Sequence, residues 1–140
     1  MNLEAFRAPL GYTPFSEIPP VYATLADQAG AVVIELPFHE QRRSYGGATY
    51  MLNSTSHWRP ILNGYSGFSP RSYDETFASA QSFPDEASLG ALRARGVTHV
   101  IVHQTDFSGM FGRDRFAAIA GVASLTLAAE HGDIHVYRLR

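Results

Sequence analysis

The sequence predicts an α/β domain in which a small mixed sheet is flanked by helices, Rossmann-like but without a phosphate loop. Two apolar runs rich in β-branched residues, at 31–36 and 97–103, have the length and composition of buried strands. Segments with helical spacing lie between and after them, so these two strands are expected to lie parallel, joined by a right-handed crossover. The C-terminal residues add an antiparallel hairpin.

The chain has 140 residues, a length that suits one domain with one core. Residues 1–18 are predicted to form an extended lead-in or linker, and residues 19–140 a single α/β domain. Pro20 suits the first turn of a helix and Gly30 suits the position just past its end, so a helix is expected between them.

The strand at 31–36 is stopped by Pro37, since proline has no backbone N–H to donate to a neighbouring strand. Residues 39–70 are rich in glycine, serine and aromatic residues, and only ATYMLN at 48–53 shows strand character. A connection this long and irregular is usually functional or hides an element.

Two helices are predicted next, over 71–83 and 85–96. The second has Asp85 as its N-cap and Gly96 as its stop. After the strand at 97–103, the sequence predicts a loop (TDFSGMFG), a short helix (RDRFAAIAG) and two strands around the turn His131-Gly132-Asp133.

Composition excludes several classes of function. Hydrophobic residues make up 45% and charged residues 17%, which is globular, and the net charge of −2 argues against nucleic acid as a partner. The absence of cysteine excludes disulfides, thiol catalysis and thiolate metal sites. No stretch has the roughly 20 apolar residues that span a bilayer, so the chain as it stands is expected to be soluble.

Known catalytic and cofactor motifs do not fit. GYSGF at 64–68 ends in Phe68 and lacks the strand–turn–helix context of a nucleophile elbow, and YGGATY lacks a Walker lysine. His131, Asp133 and His135 alternate, but they lie in an expected hairpin turn without a fourth ligand. The sequence therefore predicts no cofactor, no metal and no catalytic residue.

Glu35 lies inside an apolar strand, where a carboxylate is costly unless it is paired. Arg42, Arg43 or Arg59 could pair with it. Both a functional acid and a structural ion pair or solvent-facing carboxylate remain open.

The segment HWRPILNGYSGF at 57–68 combines aromatic faces with polar groups, a combination that suits a sugar or a lipid headgroup. The alternative is a loop packed over the sheet by its own aromatic side chains. The candidate binding residues are His57, Trp58, Arg59, Asn63, Tyr65 and Ser66, together with Glu35 and Tyr45.

The strings STSHWRPILNGYSGFSP (54–70), FPDEASLGALRARGVTHVIVH (83–103), GDIHVYRL and PPVYATLADQAGAVVIELPF (19–38) resemble a recurring soluble domain. It is the C-terminal extracytoplasmic domain of bacterial polytopic membrane proteins that are similar to GT-C-class glycosyltransferases. The resemblance covers the chain from about residue 19 onward.

The resemblance implies a domain on the extracytoplasmic, periplasmic face of the cytoplasmic membrane. The catalytic acid of that class lies in the membrane portion, so this chain is expected to be a non-catalytic accessory domain. It would bind a glycan or a polyprenyl-linked acceptor, or dock on the transmembrane portion of the same parent protein or on a membrane partner.

Two other hypotheses stay open. The first is an independent small α/β enzyme with His57 or His103 as general base, which would need an acid or nucleophile nearby. The second is a structural or protein-interaction domain, in which Trp58 belongs to the core and its truncation to alanine costs about 3–5 kcal/mol.

Overall fold

The computed structural model describes residues 17–40, 46–64, 68 and 70–140. Its centre is a four-stranded sheet with the strand order β1-β2-β4-β3. The strands are β1 (Val33–Leu36), β2 (His99–His103), β3 (Leu125–His131) and β4 (Ile134–Leu139). Strands β1 and β2 are parallel, and β4 runs antiparallel to both β2 and β3. The predicted α/β class, with parallel core strands and a C-terminal hairpin, is confirmed.

Helices surround the sheet. A 3-10 helix (Pro20–Leu25) precedes β1. Between β1 and β2 lie the helices α1 (Gly46–Ser54), α2 (Arg71–Ala80) and α3 (Glu86–Ala94). Between β2 and β3 lie α4 (Gln104–Phe111), α5 (Arg113–Ala118) and a short 3-10 turn (Ile119–Gly121). No helix in the described ranges is long and apolar enough to cross a membrane.

The predicted signals around α3 are confirmed. The Asp85 side chain accepts a hydrogen bond from the backbone N–H of Ser88, which satisfies one of the free donors at the helix start. Gly96 follows the helix with φ of 77°, a left-handed conformation that glycine adopts without steric cost.

Three local predictions were wrong. The segment 48–53 is helical within α1, because burial of Tyr50 and Asn53, one turn apart, outweighs the β-propensity of its threonine and tyrosine. The expected loop after β2 is helix α4, anchored by the buried Phe107 ring against Phe83. The first helix is a 3-10 helix that ends at Leu25, not a helix reaching Gly30.

The sheet separates two apolar layers, as the two-residue periodicity of strands requires. Ile34 and Leu36 of β1 point into the larger core, which they share with side chains of α2, α3 and α4. Val33 belongs to the smaller cluster, beside Tyr22 and Leu25 of the first 3-10 helix. Glu35 alternates with Ile34 and Leu36, so it faces the smaller cluster.

Candidate functional site

A carboxylate, an imidazole and a phenol meet in the smaller apolar layer. Glu35 is fully buried, with 0% of its surface exposed. Its Oε2 accepts a hydrogen bond of 2.6 Å from the Tyr22 hydroxyl and lies 2.8 Å from His103 Nε2. Asn53 Nδ2 donates to the same Tyr22 oxygen over 3.0 Å. The four side chains form one buried polar chain.

The parallel strands bring these groups together. Glu35 pairs with Ile101 across the β1–β2 ladder, and His103 lies two residues further along β2 on the same face. Tyr22 comes from the first 3-10 helix and Asn53 from α1, both packed over that face. The cluster therefore lies at the carboxyl ends of neighbouring parallel strands, where ligand sites of open α/β sheets are found.

Of the arginines predicted to pair with Glu35, Arg59 does not: its guanidinium donates to the backbone carbonyls of Leu25 and Ala26. Arg42 and Arg43 lie outside the described residues, so pairing with them stays a prediction. Among the described residues, the side-chain partners of Glu35 are Tyr22 and His103.

Burial controls the protonation of this cluster. It raises the pKa of Glu35, and the hydrogen bonds from His103 and Tyr22 oppose that rise by favouring the carboxylate. Burial and the neighbouring Glu35 also raise the pKa of Tyr22 far above its usual value. Tyr22 therefore stays a neutral hydrogen-bond donor at all ordinary pH values.

Further polar side chains lie near His103. The Tyr50 ring stacks on the His103 ring with centroids 4.9 Å apart, and the Tyr50 hydroxyl lies 3.3 Å from His39 Nε2. Burial lowers the pKa of His39, while the nearby Asp106 carboxylate opposes this change. Asp106 lies in the first turn of α4, three residues after His103, so it belongs to the same edge of the sheet.

His57, Trp58 and Arg59 form the turn that ends α1. The His57 ring is 3% exposed, lies parallel to Tyr22 at 6.3 Å, and accepts a hydrogen bond at Nδ1 from the Arg59 backbone. Burial and the charge of Arg59 lower the pKa of His57. Trp58 has φ of 54° and donates its backbone N–H to Ser54, which closes the helix end.

The Asn63 side chain forms hydrogen bonds with the outer edge of β1. Its Oδ1 accepts from the Glu35 backbone N–H at 2.7 Å, and its Nδ2 donates to the Glu35 backbone carbonyl at 2.8 Å. Two residues earlier in β1, the Val33 N–H donates to the Pro60 carbonyl, and the Val33 carbonyl accepts from the Leu62 N–H, both at 2.9 Å. Segment 60–63 thus satisfies the edge strand that carries Glu35.

The structure therefore divides the predicted binding residues. Glu35, His57 and Asn63 are buried, and Arg59 is engaged with backbone carbonyls. Trp58 is 81% exposed, so its assignment to the core, expected if the domain were purely structural, is wrong. Tyr45, Tyr65 and Ser66 lie outside the described residues. A binding role for these eight residues stays a prediction.

No family model, no curated protein and no solved structure matches the chain. Within the described ranges, no group of three or more histidine and acidic side chains could hold a metal ion. Asp133 instead accepts from Thr105, and His135 lies 2.9 Å from Gln104.

A cavity of about 460 Å³ lies beside α1 and α2, outside the polar cluster. Two other cavities, of about 560 and 140 Å³, also lack Glu35 and His103 among their described lining residues. The lining of the first is largely apolar, with hydroxyls and one cation: Met51, Ile61, Leu62, Gly64, Phe68, Pro70, Ser72, Tyr73, Thr76 and Arg95.

Sequence reasoning missed Tyr22 and Asn53 as members of the polar cluster, and it missed this cavity. Tyr22 read as an apolar helix position and Asn53 as part of a strand, so neither carried a functional signal. One signal was available for His103. It is the last residue of a strand expected to lie parallel to the one that holds Glu35, and the carboxyl ends of such strands meet at one edge of the sheet.

Proposed function

We propose that the chain is a non-catalytic accessory domain of a membrane glycosyltransferase-like protein and binds its lipid-linked sugar acceptor. The family assignment rests on the resemblance of the 54–70 string and the flanking segments. The observation that carries the binding role is the cavity beside α1 and α2. Its volume of about 460 Å³ lies within the range of small-molecule sites, and its walls are mostly apolar with a few polar groups.

The chemistry of the cavity favours an apolar chain next to a phosphate. Met51, Leu62 and Phe68 offer surface to isoprene units, and Arg95 offers a cation. Arg95 is paired with Glu75 only at 3.7 Å, and its side chain is 27% exposed. A phosphate can therefore approach the guanidinium without breaking a close ion pair.

Exposed apolar side chains concentrate in the same part of the chain. Met51, Leu52, Trp58 and Phe68 are 41%, 44%, 81% and 75% exposed. Trp58 presents an exposed ring on which a sugar ring can stack. Their concentration between residues 51 and 68 supports a binding surface, since scattered exposed apolar residues would need no explanation.

Titration of the isotope-labelled chain with a short-chain polyprenyl phosphate tests this proposal by NMR. Signals of residues lining the cavity, such as Tyr73 and Thr76, are expected to shift. Met51→Ala should weaken binding about 5- to 30-fold, because it removes about 1–2 kcal/mol of apolar contact.

Met110→Ala is the matched control, since Met110 is 51% exposed and lies on α4, away from the cavity lining. Equal weakening by the two substitutions, or shifts that avoid the cavity, would contradict the proposal. Shifts with the free isoprenoid alcohol equal to those with the phosphate would remove the role of Arg95.

A further inference from the structure

We propose that His103 is the hydrogen-bond acceptor of a second site, at the carboxyl ends of β1 and β2, which binds a hydroxyl group of a sugar or another polyol. This site is independent of the apolar cavity and of the proposed function. It rests on the donor and acceptor direction of the hydrogen bonds among the side chains of Asn53, Tyr22, Glu35 and His103.

The direction follows from Asn53. Its amide nitrogen is a donor only, so the Tyr22 oxygen accepts from it and the Tyr22 proton points to Glu35 Oε2. When Glu35 is ionised, its carboxylate can only accept, so His103 Nε2–H donates the second bond at Oε2, of 2.8 Å. The Tyr22 oxygen, 3.3 Å from the same Nε2, is then a second acceptor beside that proton. In a neutral imidazole with a proton on Nε2, Nδ1 carries the lone pair.

The outer side of the imidazole faces solvent. The His103 side chain is 12% exposed, whereas its Nε2 is turned inward to the fully buried Glu35 carboxyl group. The hydrogen bonds of the His103 ring to described residues are made at Nε2. The Tyr50 ring covers one face of the imidazole and holds its plane.

Further hydrogen-bond acceptors lie at the same edge of the sheet as His103. The Tyr50 hydroxyl donates to the Pro37 carbonyl over 3.4 Å, so it accepts from His39 Nε2–H over 3.3 Å. His39 then also keeps a lone pair on Nδ1, and Asp106 adds a carboxylate. Such a set calls for a ligand with several donors, which describes a polyol.

The Glu35 carboxylate gives His103 the second property of an acceptor. It orients the ring through Nε2 and fixes the tautomer that leaves the lone pair on Nδ1. A hydroxyl bound at Nδ1 therefore donates its hydrogen bond to a ring that is held in one orientation.

The first test is the tautomer of His103, read from the nitrogen signals of its side chain in the full chain above the pKa of Glu35. A protonated Nε2 and an unprotonated Nδ1 are expected. A proton on Nδ1 would mean that Glu35 is the donor, and it would overturn the proposal.

The second test is titration with methyl α-glucoside as the probe. The His103 Nδ1 signal is expected to shift, and His103→Gln should weaken binding about tenfold. His135→Gln is the matched control, because its side chain is 14% exposed and it lies on β4, paired with Val102 and so on the opposite face. A shift confined to Trp58 and Phe68, no shift, or equal loss in both variants would overturn the site.

The two proposals fail separately. Loss of polyprenyl phosphate binding at Tyr73 and Thr76 refutes the accessory role and leaves His103 untouched. A wrong tautomer refutes the second site and leaves the cavity untouched.

Discussion

Asn63→Ala should be among the most damaging single substitutions of a polar residue in this chain. Asn63 is 1% exposed and makes two short hydrogen bonds, of 2.7 and 2.8 Å, with the backbone N–H and carbonyl of Glu35. Glu35 itself is fully buried, so water does not replace the amide without opening the edge of β1.

The magnitude follows from counting the groups left without a partner. A buried backbone donor or acceptor that loses its hydrogen bond costs about 1–3 kcal/mol, so two such groups cost about 2–6 kcal/mol. Domains of this kind are stable by about 5–15 kcal/mol in total. The substitution should therefore remove a large part of the stability, and the half-unfolding denaturant concentration should fall with an unchanged slope.

Asn53→Ala supplies the comparison. Asn53 is also a buried amide, 6% exposed, but its side chain makes one hydrogen bond to the described residues, to the Tyr22 hydroxyl. Its loss should cost about 0.5–1.5 kcal/mol from the hydrogen bond. Urea unfolding of both variants is the assay. If Asn63→Ala costs no more than Asn53→Ala, water reaches the Glu35 backbone and the edge is not sealed as argued.

Three further outcomes are expected. Trp58→Gly should leave the free energy of unfolding unchanged or raise it by up to about 1 kcal/mol, because Trp58 has φ of 54° and is 81% exposed. A loss of more than about 2 kcal/mol in urea unfolding would show that the indole ring is packed. Glu35→Gln should gain stability relative to the parent as the pH rises above 4.5. Burial raises the pKa of Glu35 in the folded state, so the parent loses the stabilising effect of Glu35 protonation as the pH rises through the folded-state pKa, whereas glutamine does not titrate. A stability difference that does not change with pH would contradict this. Asp85→Ala should cost about 1 kcal/mol through the lost cap of α3, whereas Asp27→Ala, an exposed residue outside any cap, should be neutral in the same thermal unfolding assay.

The parts of the fold that the sequence predicted are those whose signals are local. The strand at 31–36 and helix α3 follow from an apolar run and from Asp85 and Gly96, residues that act on neighbours a few positions away. Helix α1 could not be predicted in this way. Its helical state depends on burying Tyr50 and Asn53 against elements far along the chain.

The polar cluster depends even more on distant contacts. Glu35 is separated from Tyr22 by 13 residues and from His103 by 68. The sequence marked Glu35 as unusual because an apolar strand is a costly place for a carboxylate. The partners it suggested were the nearest arginines in sequence, because the strand register that brings His103 close is a tertiary property.

Stability alone accounts poorly for Trp58. A non-glycine residue in the left-handed region is strained, and glycine would relieve that strain at the same helix end. The indole recovers little by burial, because most of its surface faces solvent. His57 and Arg59 on either side are held by the Tyr22 ring and by two backbone carbonyls, so the turn fixes where the tryptophan points. A strained backbone combined with an unburied large ring is the kind of local conflict that is typical of functional positions. It supports a binding role for Trp58 more directly than the buried members of the same segment support one for themselves.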